Sequence, residues 1–355
     1  MPHCWKCGAK LDEDAIFCSN CGTPTGPPPP PPSPERRRKE VRPIGILAIV
    51  VIAIVLLAIV FVAFAFLSTS SVGPVERGMS IPMKSGVNVL NFSLSAGVAR
   101  VNIVFEDDLQ AQAVVLNASA TGRVGFFSSA DVLDKYMPVW SSDTTGNVLT
   151  LTVEQEGDSV FWPWVQSLNV TFDVRIDSSL NTSLYVHTST GGVYLGTRAG
   201  VVIDSMRLDT TTGGVEANLV DGVVVSGDVS LKTTTGGVRL FWDNVVITGD
   251  ADVNVTTTTG GLDVNVRQVE QLSGNIDLMG QATTGGLNFE MQIEGDIGAK
   301  IASSVTTGGI DVDRKVGFSG TNELLQSTNY PAGHNIDVVL KTVTGGINID
   351  ATYTH

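Results

Sequence analysis

Seven short segments of one pattern run through the second half of this 355-residue chain: TSTGGV (188–193), TTTGGV (210–215), TTTGGV (233–238), TTTGGL (257–262), ATTGGL (282–287), VTTGGI (305–310) and TVTGGI (342–347). The first glycines fall at 191, 213, 236, 260, 285, 308 and 345, so the spacings are 22, 23, 24, 25, 23 and 37. Recurrence at this period means a repeat architecture. After each Gly-Gly, apolar residues occupy every second position, as in Leu262, Val264 and Val266 or Ile347 and Ile349. That alternation marks half-buried strands, and β-branched residues dominate, so helical repeats are excluded. The expected fold is all-β: a single-chain β-solenoid (β-helix) of about 22–25-residue coils stacked about 4.8 Å apart. The glycines would turn corners closed to residues with a Cβ. The threonines would stack in ladders between neighbouring coils.

Upstream, NFSLSAGVARVNIVF (91–105), NVLTLTV (147–153) and LNVTFDVRI (168–176) also alternate. Ser95-Ala96-Gly97-Val98 resembles a degenerate first corner. Phe126, Phe127, Tyr136, Trp140 and Trp162-Pro163-Trp164 are expected to cover the open end of the stack, and an insertion from Thr321 to His334 the other. A strand-rich start followed by TTTGGV-type repeats resembles the adhesin-type β-solenoid family of prokaryotic envelope proteins, over about residues 81–352. The resemblance implies a surface-exposed single-sheet β-helix, and it carries over no catalytic residue.

All four cysteines lie in CWKCGAKLDEDAIFCSNCG: Cys4 and Cys7, then Cys18 and Cys21. Each C-x2-C turn aims two thiolates at one ion, and two such turns complete a tetrahedral shell suited to structural Zn2+. No open position remains for a water, and so short a segment needs the metal to fold. The segment looks like the short zinc ribbon found at the N-termini of many prokaryotic membrane proteins. His3 is read as a solvated neighbour rather than a ligand. The module's own charges, Lys6 and Lys10 against Asp12, Glu13 and Asp14, disfavour phosphate. No nucleic acid is expected as a partner; a cytoplasmic protein partner contacting Trp5 or Phe17 is.

Pro27 to Pro32, with Pro34, reads as an extended spacer, and Arg36, Arg37, Arg38, Lys39 and Arg42 form a basic cluster. Ile44 to Leu67 contains no polar residue, which is long enough for one transmembrane helix in a lipid bilayer. Residues 1–43 hold seven Lys/Arg and five Asp/Glu, a net of +2, whereas residues 68–355 carry −16 of the chain's net −14. The basic flank places the N-terminus in the cytoplasm and the C-terminal part outside the cell membrane. The expected organisation is a zinc ribbon (1–24), a proline-rich and basic linker (25–43), the membrane helix (44–67), a second linker (68–80) and an extracytoplasmic β-solenoid (81–355).

No nucleophile elbow, zincin motif or phosphate loop occurs, and the exterior has no cysteine, so no enzyme is expected. Asp263, Asp311 and Asp313 follow glycine corners and are read as a solvated acidic face rather than a Ca2+ ladder. Asn91, Asn117, Asn169, Asn181 and Asn254 begin N-x-S/T sequons. The functional expectation is adhesion or envelope interaction through an unidentified surface ligand. The alternative is a transmembrane envelope sensor or scaffold that relays through the ribbon.

Overall fold

The computed structural model describes residues 1–26, 43–67, 69–125, 131–155 and 165–355. The proline run, the basic cluster, Phe126, Phe127 and Trp162 to Trp164 lie outside these described residues. The chain divides into two compact units, Met1–Val60 and Phe61–His355.

In the first unit, two turns of matching geometry build the cysteine module. Cys4 N–H donates to the Ala9 carbonyl and Gly8 N–H to the Cys4 carbonyl; Cys18 to Thr23 and Gly22 to Cys18 repeat the pattern. Gly8 and Gly22 close the two turns at φ 70° and 68°, in the left-handed region that glycine enters without penalty. Leu11 packs with the buried Cys4 and Cys18.

Helix α1 covers Pro43–Leu67. Among the described residues, no helix is long and apolar enough to cross a membrane. Its side chains from 48 to 64 are exposed. The expected transmembrane helix is therefore corrected. With it goes the single-pass cell-membrane localisation, with its cytoplasmic N-terminus and extracytoplasmic C-terminal domain.

The second unit consists of an 11-stranded and a 14-stranded sheet sharing one apolar core. Each Gly-Gly separates a strand of the larger sheet from a strand of the smaller one. Val202–Thr212, for example, pairs in parallel with Val229–Thr235 in the larger sheet. Val215–Leu219, just beyond the glycines, pairs in parallel with Val238–Asp243 in the smaller. Alternate side chains point inward, which is why Val215, Ala217 and Leu219 are all buried.

The sheets are not the β-solenoid that the repeat period implied. In place of the implied single-sheet β-helix there are two mixed sheets, and antiparallel strands build three of their four ends. At the start, Thr69–Pro82 pairs antiparallel with Gln112–Gly125, which pairs antiparallel with Val165–Asp177. Residues 69–80, expected as linker, thus belong to the domain. At the other end the last two repeats exchange places. His334–Thr344 lies between Ile276–Thr284 and Ile297–Thr307, and Ile347–Thr354 lies between Leu287–Glu294 and Ile310–Val316. The 37-residue interval makes this possible. Its hairpin, Phe318–Thr321 with Leu324–Ser327, pairs antiparallel with Ile297–Thr307 and covers that edge of the larger sheet. Covering an edge blocks pairing with other chains.

The early strands follow the same register. Ala96 aligns with Thr188 and Val98 with Thr190, so the degenerate corner falls at Ala99, which packs its carbonyl where Gly191 turns. Tyr136 is buried, following the short helix α2 (Asp131–Asp134), whereas Trp140 stays exposed on strand Pro138–Thr145.

Candidate metal centre and repeat face

The four Sγ atoms of Cys4, Cys7, Cys18 and Cys21 all lie within 4.8 Å of one another. Cys4 and Cys21 are 3.7 Å apart, and Cys7 and Cys18 are 3.6 Å apart. A tetrahedral ion with metal–sulfur bonds of about 2.3 Å has sulfur–sulfur edges of about 3.8 Å. Disulfides require about 2.05 Å, so all four thiols are free. The donor set therefore fits one tetrahedral metal ion.

The local electrostatics point the same way. The Thr23 hydroxyl and amide favour the Cys21 thiolate and lower its pKa to about 6. The amides of Lys6 and Cys7 lower that of Cys4. At Cys7 the Ala9 amide also acts to lower the pKa, but the Cys21 thiol, burial, and the thiols of Cys18 and Cys4 outweigh it and push Cys7 up to about 11. Crowded thiols that resist simultaneous ionisation are what a dication relieves. His3 is exposed and stands outside the cysteine cluster. Trp5, Ile16 and Phe17 are also exposed; Trp5 donates its indole N–H to the Pro24 carbonyl.

On the second unit the repeat motif produces three parallel rows. The inner row is buried: Thr188, Thr210, Thr233, Thr257 and Thr342, in register with Ala282 and Val305. Its hydroxyls donate to glycine carbonyls: Thr188 to Gly191, Thr210 and Thr233 to Gly213, Thr257 to Gly236, and Thr342 to Gly345. The expected threonine ladder is this row.

Two residues on, an exposed row contains Thr190, Thr212, Thr235, Thr259, Thr284, Thr344 and Thr307, one per strand in unbroken register. Beyond the glycines, the first outward side chains of the smaller sheet form the third row: Asn102, Tyr194, Glu216, Arg239, Asp263, Asn288, Asn348 and Asp311. Arg239 contacts Glu216 at 3.3 Å and Asp263 at 3.2 Å. Asp263 and Asp311 share this row but are separated by Asn288 and Asn348, and Asp313 accepts from Asn348. Among the described residues, the cysteines form the only cluster of three or more potential metal ligands. The sequon residues Asn91, Asn117 and Asn169 are exposed, and Asn181 and Asn254 half-buried.

Sequence reasoning missed the depression beside the third row. It runs across the smaller sheet as two adjoining hollows of about 640 Å3 each, which share Gly286 and Asn288. The second glycines of the repeats form its floor. The signal was present in the doubled glycine, since one glycine suffices to turn a corner.

Residues 3–25 match the zinc-ribbon domain family. No curated protein sequence matches the chain. Among solved structures, a candidate cell adhesion protein from Clostridium sporogenes is similar at 14% identity, over 79% of this chain and 100% of its own, with a TM-score of 0.38. A candidate adhesin from Bacteroides fragilis shares 13% identity over 78% of this chain and 97% of its own, with a TM-score of 0.33. A candidate lipid-binding protein from Parabacteroides distasonis shares 12% over 78% and 96%, with a TM-score of 0.32. Likenesses this shallow carry no information about function.

Proposed function

We propose that this chain is a non-catalytic adhesion-type binding protein whose β unit presents the ligand-facing surface and whose zinc ribbon is a structural module. The observation that carries the reading is the exposed threonine row from Thr190 to Thr307, one hydroxyl per strand across seven strands. A rigid, periodic, hydrogen-bonding face suits capture of an extended ligand better than it suits chemistry, which needs convergent groups in a closed site. The zinc assignment is supported by the sulfur–sulfur distances and by the match of residues 3–25. Within the ribbon, exposed Trp5, Ile16 and Phe17 favour docking of a protein partner, because aromatic side chains are enriched in such interfaces.

The test is retention of beads coated with the full chain on immobilised envelope polysaccharide and envelope protein. Retention that falls when Thr235, Thr259 and Thr284 are replaced together by Glu supports the reading. Retention no better than that of uncoated beads on every surface refutes it.

A further inference from the structure

In six of the seven repeats the two glycines have different reasons to be glycine; in the first repeat, a Cβ at Gly192 would come within 3.2 Å of the Gly214 carbonyl oxygen. The first glycine is required by the fold. At Gly213, Gly236, Gly260, Gly285 and Gly345, φ lies between 141° and 145°, and a Cβ would sit 1.8–1.9 Å from the carbonyl oxygen of the preceding glycine in the column. The second is not. At Gly214, Gly237, Gly261, Gly286 and Gly346 the backbone is outside the left-handed region, and a Cβ would meet its nearest neighbour at 3.4–3.9 Å, ordinary contact. At Gly309 it would meet nothing. The fold would accept a side chain at these six positions, yet every repeat leaves them bare. What the bare positions keep open is the hollow across the smaller sheet.

We infer that this glycine-floored groove is a binding site for a linear, uncharged polysaccharide lying across the strands. The inference rests on the adhesion-type reading above and names its ligand. The groove runs perpendicular to the strands, so its period is the strand spacing of about 4.8 Å. That is close to the advance of one sugar along an extended β-linked glycan. Each step offers a hydrogen-bonding side chain from the outward row. Near one end Tyr194 folds back over Gly196, where a Cβ would come within 3.2 Å of its hydroxyl, and adds an aromatic surface for a sugar face. Toward the other, Asn348 Oδ1 is buried and has no hydrogen-bond partner among the described residues, an acceptor for a ligand hydroxyl.

Charge disfavours the polyanionic alternatives: four carboxylates, Glu216, Asp263, Asp311 and Asp313, line the groove against two cations, Arg100 and Arg239. Arg239 is already held between Glu216 and Asp263, and Asp311 and Asp313 line the far hollow. A phosphate- or uronate-bearing polymer would meet more carboxylates than cations. Hydroxyl-rich neutral chains can instead donate to those carboxylates and accept from the arginine.

The experiment measures binding of the full chain to immobilised β-1,4-linked hexasaccharides of glucose, xylose and mannose. Heparin and an unstructured peptide serve as controls. We expect binding to at least one neutral hexasaccharide, and a loss of at least about tenfold in the double variant Gly237→Val/Gly261→Val, which adds side chains to the floor where a Cβ meets only ordinary contacts. Tyr194→Ala should weaken binding as well. An unchanged melting temperature confirms that the variants are folded. If the filled variant binds the sugars as well as the wild type, the groove assignment is wrong while the adhesion reading stands. Binding of heparin or peptide alone overturns the ligand class. Binding to no probe at all, combined with no bead retention, overturns both.

Discussion

The hydroxyl of Thr210 lies 2.9 Å from that of Thr233 on the next strand, and both donate toward the carbonyl of Gly213. Thr233 is fully buried. Replacing it with Val keeps the shape but removes its hydrogen bonds to Gly213 and Thr210 from the buried network. Thr233→Val should cost about 1–2 kcal/mol in denaturant unfolding. Because Thr210 shares the network, the double variant Thr210→Val/Thr233→Val should cost less than the sum of the singles. Strict additivity would show that the hydroxyls act independently.

Neighbouring glycines offer an internal control. Gly236→Ala places a Cβ 1.9 Å from the Gly213 carbonyl oxygen at φ 145°, so it should destabilise by more than about 3 kcal/mol or prevent folding. Gly237→Ala meets only a contact of 3.5 Å and should stay within about 1 kcal/mol of wild type. Equal melting temperatures for the two would contradict the assigned corner geometry.

Trp242 is buried, and its indole N–H donates to Gln268 Oε1 at 3.2 Å, itself buried. Gln268→Leu removes the acceptor and leaves the donor unpaired, an expected cost of about 1–3 kcal/mol. Trp242→Phe made together with it should recover part of that loss. No recovery in thermal unfolding would mean that packing, not the hydrogen bond, sets the cost.

Asp252, Asp277 and Asp337 stand side by side on three parallel strands. Burial, then the charges of Asp337, Asp252 and Asp250, raise the Asp277 pKa above its ordinary 3.8, with Lys300 opposing. A raised carboxyl pKa means the folded state binds the proton more tightly. The contribution to stability is therefore present below 3.8 and lost as pH rises through the folded value. Asp277→Asn should stabilise the protein at pH 7 by a few tenths of a kcal/mol, because the site is largely exposed. The gain should vanish below about pH 4. A gain that persists at low pH would rule out the charge explanation.

Removing metal from the full chain with a strong chelator should unfold the ribbon, since structural zinc contributes on the order of 10 kcal/mol to such modules. The β unit has its own core and should keep its melting temperature. Cys18→Ser should reduce bound zinc from one per chain to a weakly held fraction, read by elemental analysis. Zinc content near zero in the reduced wild type would refute the metal assignment.

Much of this architecture was legible in the residues. Each C-x2-C-G is a local turn, so spacing alone brought Cys4, Cys7, Cys18 and Cys21 together. Alternation assigned the strands, because a side chain's face is set by parity along the strand. The buried threonine ladder followed from the in-phase repeat. The exchange of the last two repeats was not legible, because strand neighbours in a sheet are chosen by long-range pairing and not by order in the chain. For the same reason residues 69–80 read as a linker: the strand there exists only because Gln112–Gly125 is available to pair with it.

The doubled glycines mark the division most sharply. By itself, the sequence determined that the chain carries a four-cysteine metal module and seven in-phase β repeats with glycine corners. Both rest on local conformation and fixed spacing. Only the tertiary structure decided that these repeats build two mixed sheets in place of a β-solenoid, and that the second glycine in six of the seven pairs has room for a Cβ. Those facts depend on which backbone packs against which across more than twenty residues of chain, and no local pattern encodes that distance.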